Sequence, residues 1–228
     1  MKFKLYKLIA FGVLALLVNS LAQAAPQSFS QAKYELRKYV YHDQNNSSQE
    51  FYCGCNWEWK GRSGGVVDHA SCGYKIRAQE HRAKRIEWEH IVPAHSFGHQ
   101  RQCWQNGGRK NCVANDPVFR EMEADMFNLA PSVGELNADR SNFRFGVLPN
   151  EPYKHGACKF KVNFKQRVVE PRDEVKGMIA RTYLYMYDRY DLRMSDQQRR
   201  LMQAWDKQFP VTAWEMERNE RITVRMRH

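Results

Sequence analysis

Glu89 and His90 stand side by side in the stretch RIEWEHIVPAHSFG, Arg85 to Gly98, with Pro93 and a second histidine, His95, close behind. Imidazole is the side chain that takes up a proton near neutral pH. A carboxylate is a hard oxygen ligand suited to magnesium or calcium. The adjacent pair therefore fits hydrolysis in which a base activates water beside a divalent ion. Zinc-protease motifs do not fit: H-E-x-x-H needs the reverse order, and H-x-x-E-H needs a histidine where Ile86 stands. By residue type alone, a histidine near a strand is more often a satisfied structural group, so the pair needs further support.

Neighbouring side chains on a strand point to opposite faces. Glu89 and His90 can share a site only where a strand ends or bends. Ile86, Trp88 and Ile91-Val92 predict a short strand, and Pro93 stops it. A second oxygen ligand must come from elsewhere, and an asparagine amide on a facing helix would serve. Ser132-Val133-Gly134-Glu135 reads as a capping box for a short helix that carries Asn137.

The remaining elements follow from period and punctuation. Ser28 to Tyr41 predicts a helix capped by Ser28 or Ser30, with Leu36, Tyr39 and Val40 as its apolar stripe. Phe51 to Tyr74, rich in Gly, Cys and Trp, predicts irregular structure, and Gln100 to Cys112 a loop. Asp116-Pro117 predicts a helix start, with Val118, Met122, Met126 and Leu129 at helical spacing. Asp173 to Tyr190 places Val175, Ile179, Tyr183 and Met186 on one helical face. A second capping box at Ser195 opens a helix to about Phe209, ended by Pro210. The segment from Trp214 to His228 is strongly charged.

The 228 residues suffice for one domain with a sizeable core. Residues 1–24 read as a secretory signal peptide. Lys2, Lys4 and Lys7 precede an apolar run from Leu8 to Val18 and an Ala22-Gln23-Ala24 cleavage site. The run is short for a membrane span, so an uncleaved anchor is the weaker reading. The domain then occupies 25–228 and starts near Ala25. Those three lysines take three of the eleven net positive charges, leaving +8 on the exported part. Basic charge suits an anionic partner, and it also suits solubility alone.

All six cysteines lie in that part, and an even count in an oxidising compartment predicts disulfides. Cys103 and Cys112 flank Gly107-Gly108 and are the easiest local pair. Cys53 and Cys55 are too close to bridge each other. The pairing of Cys53, Cys55, Cys72 and Cys158 stays open. Zinc is the competing reading, disfavoured by the C-x-C spacing.

EWEHIVPAHSFG, RQCWQNGGRKNC, EMEADMFNLAPSVGELNADRSNFRFG, KVNFKQRVVEPRDEVKGMIARTYLYM and QFPVTAWEMERNERI closely resemble the endonuclease I family of exported, non-specific bacterial nucleases. The likeness runs from about Ser28 to Ile222. It implies an α+β, helix-rich, disulfide-stabilised domain around a ββα-metal (His-Me finger) core. By resemblance, His90 is the general base and Glu89 and Asn137 are the metal ligands. Arg109 is the phosphate-binding cation, and Glu123 a further active-site acid. The implied cofactor is Mg2+, with Ca2+ or Mn2+ as substitutes. The implied products carry 5′-phosphate and 3′-hydroxyl ends, from double- and single-stranded DNA and from RNA. The implied protein is a monomer, periplasmic or secreted, with no membrane partner. Family members can carry more cysteines and a longer tail.

Without the likeness, Asn137 could cap backbone groups, Arg109 could be one more surface charge, and Glu123 lies off the Val118–Met122–Met126 face. His95 and His99 are left structural. Non-specific nucleases read phosphates, and Arg101, Lys110, Arg140, Arg144 and Lys165 are candidates to line a basic groove. Trp104 and Phe143 are expected to pack rather than stack on bases. A non-catalytic DNA-binding or uptake protein is the alternative, but binding alone needs no Glu89–His90–Arg109–Asn137 constellation. A membrane-active or inhibitor role would need an amphipathic basic helix, which the sequence lacks.

Overall fold

The Ser28 hydroxyl accepts from the Gln31 amide and opens α1, Phe29–Glu35, which widens into a π-helical turn over Leu36–Val40. Leu36 and Val40 are buried as expected. The computed structural model describes residues 25–47 and 49–226. The expected signal peptide lies outside the described residues.

Within the segment expected to be irregular, the chain forms a hairpin: β1, Asn56–Lys60, and β2, Gly64–Asp68, turned at Gly61 with φ +60°. Alternation decides this, because Trp57 of NWEWK is buried between exposed or half-exposed neighbours. Gly65 lets Trp57 lie flat, since a Cβ there would come within 2.8 Å of the indole. A short α2, Glu80–Ala83, leads into β3, Arg85–His90, the predicted strand.

The predicted Gln100–Cys112 loop is helical. After α3, Ala94–Gly98, come α4, Gln102–Gln105, and α5, Gly108–Asn115. The latter two are joined by Gly107 at φ +137° and stapled by Cys103–Cys112, the disulfide expected from spacing. Asp116 caps α6, Pro117–Ala124, by accepting from the Phe119 amide. The stripe drawn through Val118, Met126 and Leu129 does not hold. Asp125 turns the chain extended, Val118 is 41% exposed, and Leu129 begins β4, Leu129–Val133.

Strands β1-β2-β3-β4 form one antiparallel sheet, with His90 opposite Leu129 and Glu89 opposite Ala130. α7, Gly134–Arg140, follows β4 directly. The capping box predicted there is not formed. Ser132 lies within β4, and Glu135 instead accepts the backbone amides of Arg77, Ala78 and Gln79 and the Tyr74 hydroxyl.

β5, Arg144–Phe145, β6, Lys161–Asn163, and β7, Val168–Glu170, form a second sheet in the order β5-β7-β6. α8, Asp173–Arg189, buries Val175, Ile179, Tyr183 and Met186 as its spacing requires, and packs on α9, Asp196–Gln208, which Ser195 caps. The charged C-terminal stretch is α10, Ala213–Met226. Its buried Arg218 donates to the Met126, Phe127 and Leu129 carbonyls and to the Tyr41 hydroxyl. That fastens the helix beneath the start of β4.

Cys53–Cys158 and Cys55–Cys72 complete a set of three bridges in an α+β single domain. No cysteine is left free, which removes the zinc reading. Among the described residues no helix is long and apolar enough to cross a membrane.

Candidate active site

β3 ends at His90, and the chain bends before Pro93. This is the strand end that lets Glu89 and His90 face one cleft. The cleft, about 690 Å3, is lined by Glu87, Glu89, His90, Arg109, Asn137 and α1 side chains. Its floor is set by α7 lying against β3. Gly134 permits the approach, because a Cβ there would meet the Glu87 carboxyl of β3 at 2.8 Å and the Arg82 carbonyl of α2 at 2.6 Å.

Asn137 and Arg140 stand three apart on α7, so they share a face. They meet the alternate residues Glu87 and Glu89 of β3. Asn137 Nδ2 donates to Glu87 Oε2 at 3.0 Å. This leaves its Oδ1 without a protein partner among the described residues. Glu89 is 2% exposed, and one oxygen, Oε1, accepts from Tyr52 Oη and Arg140 Nη1, both at 2.7 Å. Oε2 has no protein partner among the described residues. Burial raises the Glu89 carboxyl to about 7, against the opposing pull of Arg140 and Tyr52. Glu89 and Asn137 thus each keep one hard oxygen uncommitted beside the same cleft. That donor set fits magnesium or calcium.

His90 is 8% exposed, and its Nε2 lies 2.9 Å from the Glu123 carbonyl oxygen. A carbonyl only accepts, so Nε2 carries the hydrogen and Nδ1 keeps its lone pair. Burial, reinforced by the nearby Arg109 charge, lowers the imidazole to about 3. The ring is neutral at physiological pH, the form a base needs. Phe29 of α1 packs on it with centroids 4.6 Å apart.

Arg109 reaches the cleft from α5. Its Nε donates to Glu123 Oε1 at 2.7 Å, while the side chain stays 46% exposed. Both Nη groups lack protein partners among the described residues and can fork onto an anion. Glu123, set off the apolar face by its spacing, is buried and anchors two groups. Its carboxylate holds Arg109 and its carbonyl holds His90.

One groove candidate is corrected, and a second is engaged outside the cleft lining. Arg140 is 1% exposed and spent internally, on Glu89, the His90 and Ile91 carbonyls and Tyr183 Oη. It shapes the site from behind and is not a phosphate contact. Arg101 clasps Asp116 with two hydrogen bonds of 2.5 and 3.0 Å, bracing the start of α6 away from the cleft. Lys110, Arg144 and Lys165 are exposed, outside the cleft lining. His95 lines the cleft and stacks on His99 at 4.9 Å. Trp104 lines it too while packing on Phe119, and Phe143 packs against the core.

Sequence reasoning passed over Glu87, Tyr52, Phe29 and Lys33. Strand alternation would have put Glu87 on the Glu89 face, and Phe29 and Lys33 share a helix face four apart. Tyr52, 37 positions from Glu89 in the chain, carries no such signal.

A sequence model of endonuclease I matches residues 28–228. The chain belongs to the endonuclease I family. It is 51% identical over 211 residues to an extracellular deoxyribonuclease of Aeromonas hydrophila, covering 92% of this chain and 89% of that one. It is 48% identical over 216 residues to a periplasmic deoxyribonuclease of the same organism, covering 94% and 89%. An extracellular endonuclease of Pseudomonas fluorescens biotype A is 34% identical over 221 residues, covering 96% and 92%. Within an endonuclease I chain, the cleft described above is the natural candidate for the hydrolytic centre.

Proposed function

We propose that this protein is an exported, metal-dependent, sequence-non-specific endonuclease that hydrolyses DNA, double- or single-stranded, and RNA. The observation that carries the reading is His90. Its Nε2 is fixed as a donor by the Glu123 carbonyl, and its Nδ1 keeps a free lone pair on a neutral ring beside two uncommitted oxygens. Export rests on the disulfides and on the periplasmic and extracellular relatives.

In this account β3, β4 and α7 are the ββα-metal core. Glu89 and Asn137 hold Mg2+, with Ca2+ or Mn2+ as substitutes. When bound, the ion supplies charge stabilisation to the phosphate and to the departing 3′-oxygen. His90 Nδ1 removes a proton from water, and the water oxygen bonds to phosphorus. The bond from phosphorus to the 3′-oxygen breaks, and that oxygen leaves to take up a proton. The products carry 5′-phosphate and 3′-hydroxyl ends. Arg109 forks onto the phosphate oxygens, and Glu123 keeps both Arg109 and His90 in place. Arg140 and Tyr52 hold one Glu89 oxygen so that the other faces the cleft. Lys110, Arg144 and Lys165 are available to the flanking backbone, and the protein works as a monomer in the periplasm or outside the cell.

Nicking of supercoiled plasmid by the disulfide-intact protein tests this. Cleavage with magnesium that stops on chelation is expected. Binding without cleavage would favour the DNA-uptake alternative.

A further inference from the structure

We infer that Lys33, held against Phe29, forms a second phosphate-binding position, for the backbone phosphate next to the scissile one. The inference rests on the proposed nuclease reading. Four cationic side chains line the cleft: Lys33, Arg82, Arg109 and Arg140. Glu87 holds Arg82, Glu123 holds Arg109, and Glu89 holds Arg140. Lys33 has no carboxylate partner among the described residues. Its ammonium rests 4.5 Å from the centroid of the Phe29 ring.

That ring ties Lys33 to the chemistry. The same ring lies 4.6 Å from His90 and 5.5 Å from the Arg109 guanidinium. An aromatic face attracts cations, so Phe29 gathers two positive groups beside the base. α1 packs on α6, the helix that carries Glu123, which fixes this wall of the cleft relative to Arg109. Two cations about one ring match a polyanion better than a single phosphate. A nucleic-acid strand carries one charge for roughly every 3.4 Å of its axis, so a strand crossing the cleft presents a row of phosphates to this wall. Lysine is a compact point charge on a flexible stem and imposes no fork geometry. It can follow a backbone of any base sequence. Arg109 then serves the reacting phosphate and Lys33 its neighbour.

The test is duplex affinity against salt, measured in chelator so that nothing is cut. Wild type is compared with Lys33→Gln, Lys33→Arg and Lys207→Gln, the last changing an exposed lysine of α9 outside the cleft. A lost phosphate contact makes the slope of log affinity against log salt shallower by about 0.9. Between about 50 and 200 mM salt, wild type should therefore lose about 3.5-fold more affinity than Lys33→Gln. Lys33→Arg and Lys207→Gln should keep the wild-type slope. If Lys33→Gln matches wild type, or if Lys207→Gln flattens the slope equally, the second position is refuted while the nuclease reading stands. A wild type that neither binds nor cuts DNA would overturn both.

Discussion

Replacing Arg140 with methionine keeps most of the side-chain length and removes every donor. Four bonds go: to Glu89 Oε1 at 2.7 Å, the His90 carbonyl at 2.8 Å, the Ile91 carbonyl at 2.6 Å and Tyr183 Oη at 3.2 Å. Glu89 keeps only Tyr52. The dominant cost is the carboxylate left buried without its counter-charge, about 3–5 kcal/mol when one partner of a buried pair is removed. For a chain of this size each kcal/mol moves the thermal midpoint by roughly 2–4 °C, so a fall on the order of 10 °C is expected. Adding Glu89→Gln removes the orphaned charge, so the double variant should be less destabilised than the two single changes summed, by about 1–3 kcal/mol. Urea unfolding followed by tryptophan fluorescence, with disulfides intact and chelator present, measures both quantities. It should be run at about pH 8, above the value of about 7 to which burial raises Glu89 against Arg140 and Tyr52. A loss under about 1 kcal/mol, or additive effects, would show that Arg140 does not sustain Glu89 and would refute the reasoning.

Two further outcomes concern stability. Chain-entropy loss scales with loop length. Removing Cys53–Cys158, which spans 105 residues, should therefore cost about 2 kcal/mol more than removing Cys103–Cys112, which spans 9. Urea midpoints of the two paired Cys→Ser variants check the order, and equal losses would contradict it. Acid should also loosen the Glu135–Asp139 network. Burial pushes Asp139 up, but His155 and Arg77 outweigh it and hold the carboxyl below its ordinary 3.8. Burial is likewise outweighed at Glu135 by Tyr74 and the Arg77–Gln79 amides, leaving it below 4.5. Both contribute stability that is complete above about pH 4.5 and lost as pH falls through their lowered values. The thermal midpoint should therefore drop less steeply on acidification in Arg77→Gln than in wild type. Parallel curves would assign the acid sensitivity elsewhere.

Helices announced by caps and long apolar stripes were legible in the sequence: Ser28 for α1, Asp116-Pro117 for α6, and the Val175–Met186 face of α8. Reading failed where a local signal competed with a distant partner. Ser132-x-x-Glu135 has the form of a capping box, but Glu135 is claimed by amides 56 to 58 residues away. Met126 and Leu129 continue a helical spacing, yet Asp125 breaks the helix and β4 pairs with β3. The candidate site was legible in part. Glu89, His90, Arg109 and Asn137 line one cleft, and Glu123 sits behind it. The arginines could not be sorted by type. Arg140 and Arg109 look alike in sequence, and only burial separates the one that holds Glu89 from the one that faces the cleft.

The base assignment is the centre of the account, and chemical rescue tests it most directly. His90→Gly should abolish plasmid nicking in magnesium, and added imidazole should restore cleavage in proportion to its concentration as it replaces the missing base. Wild-type nicking by His90→Gly without imidazole would contradict the account, because the proton would then be removed by some other group.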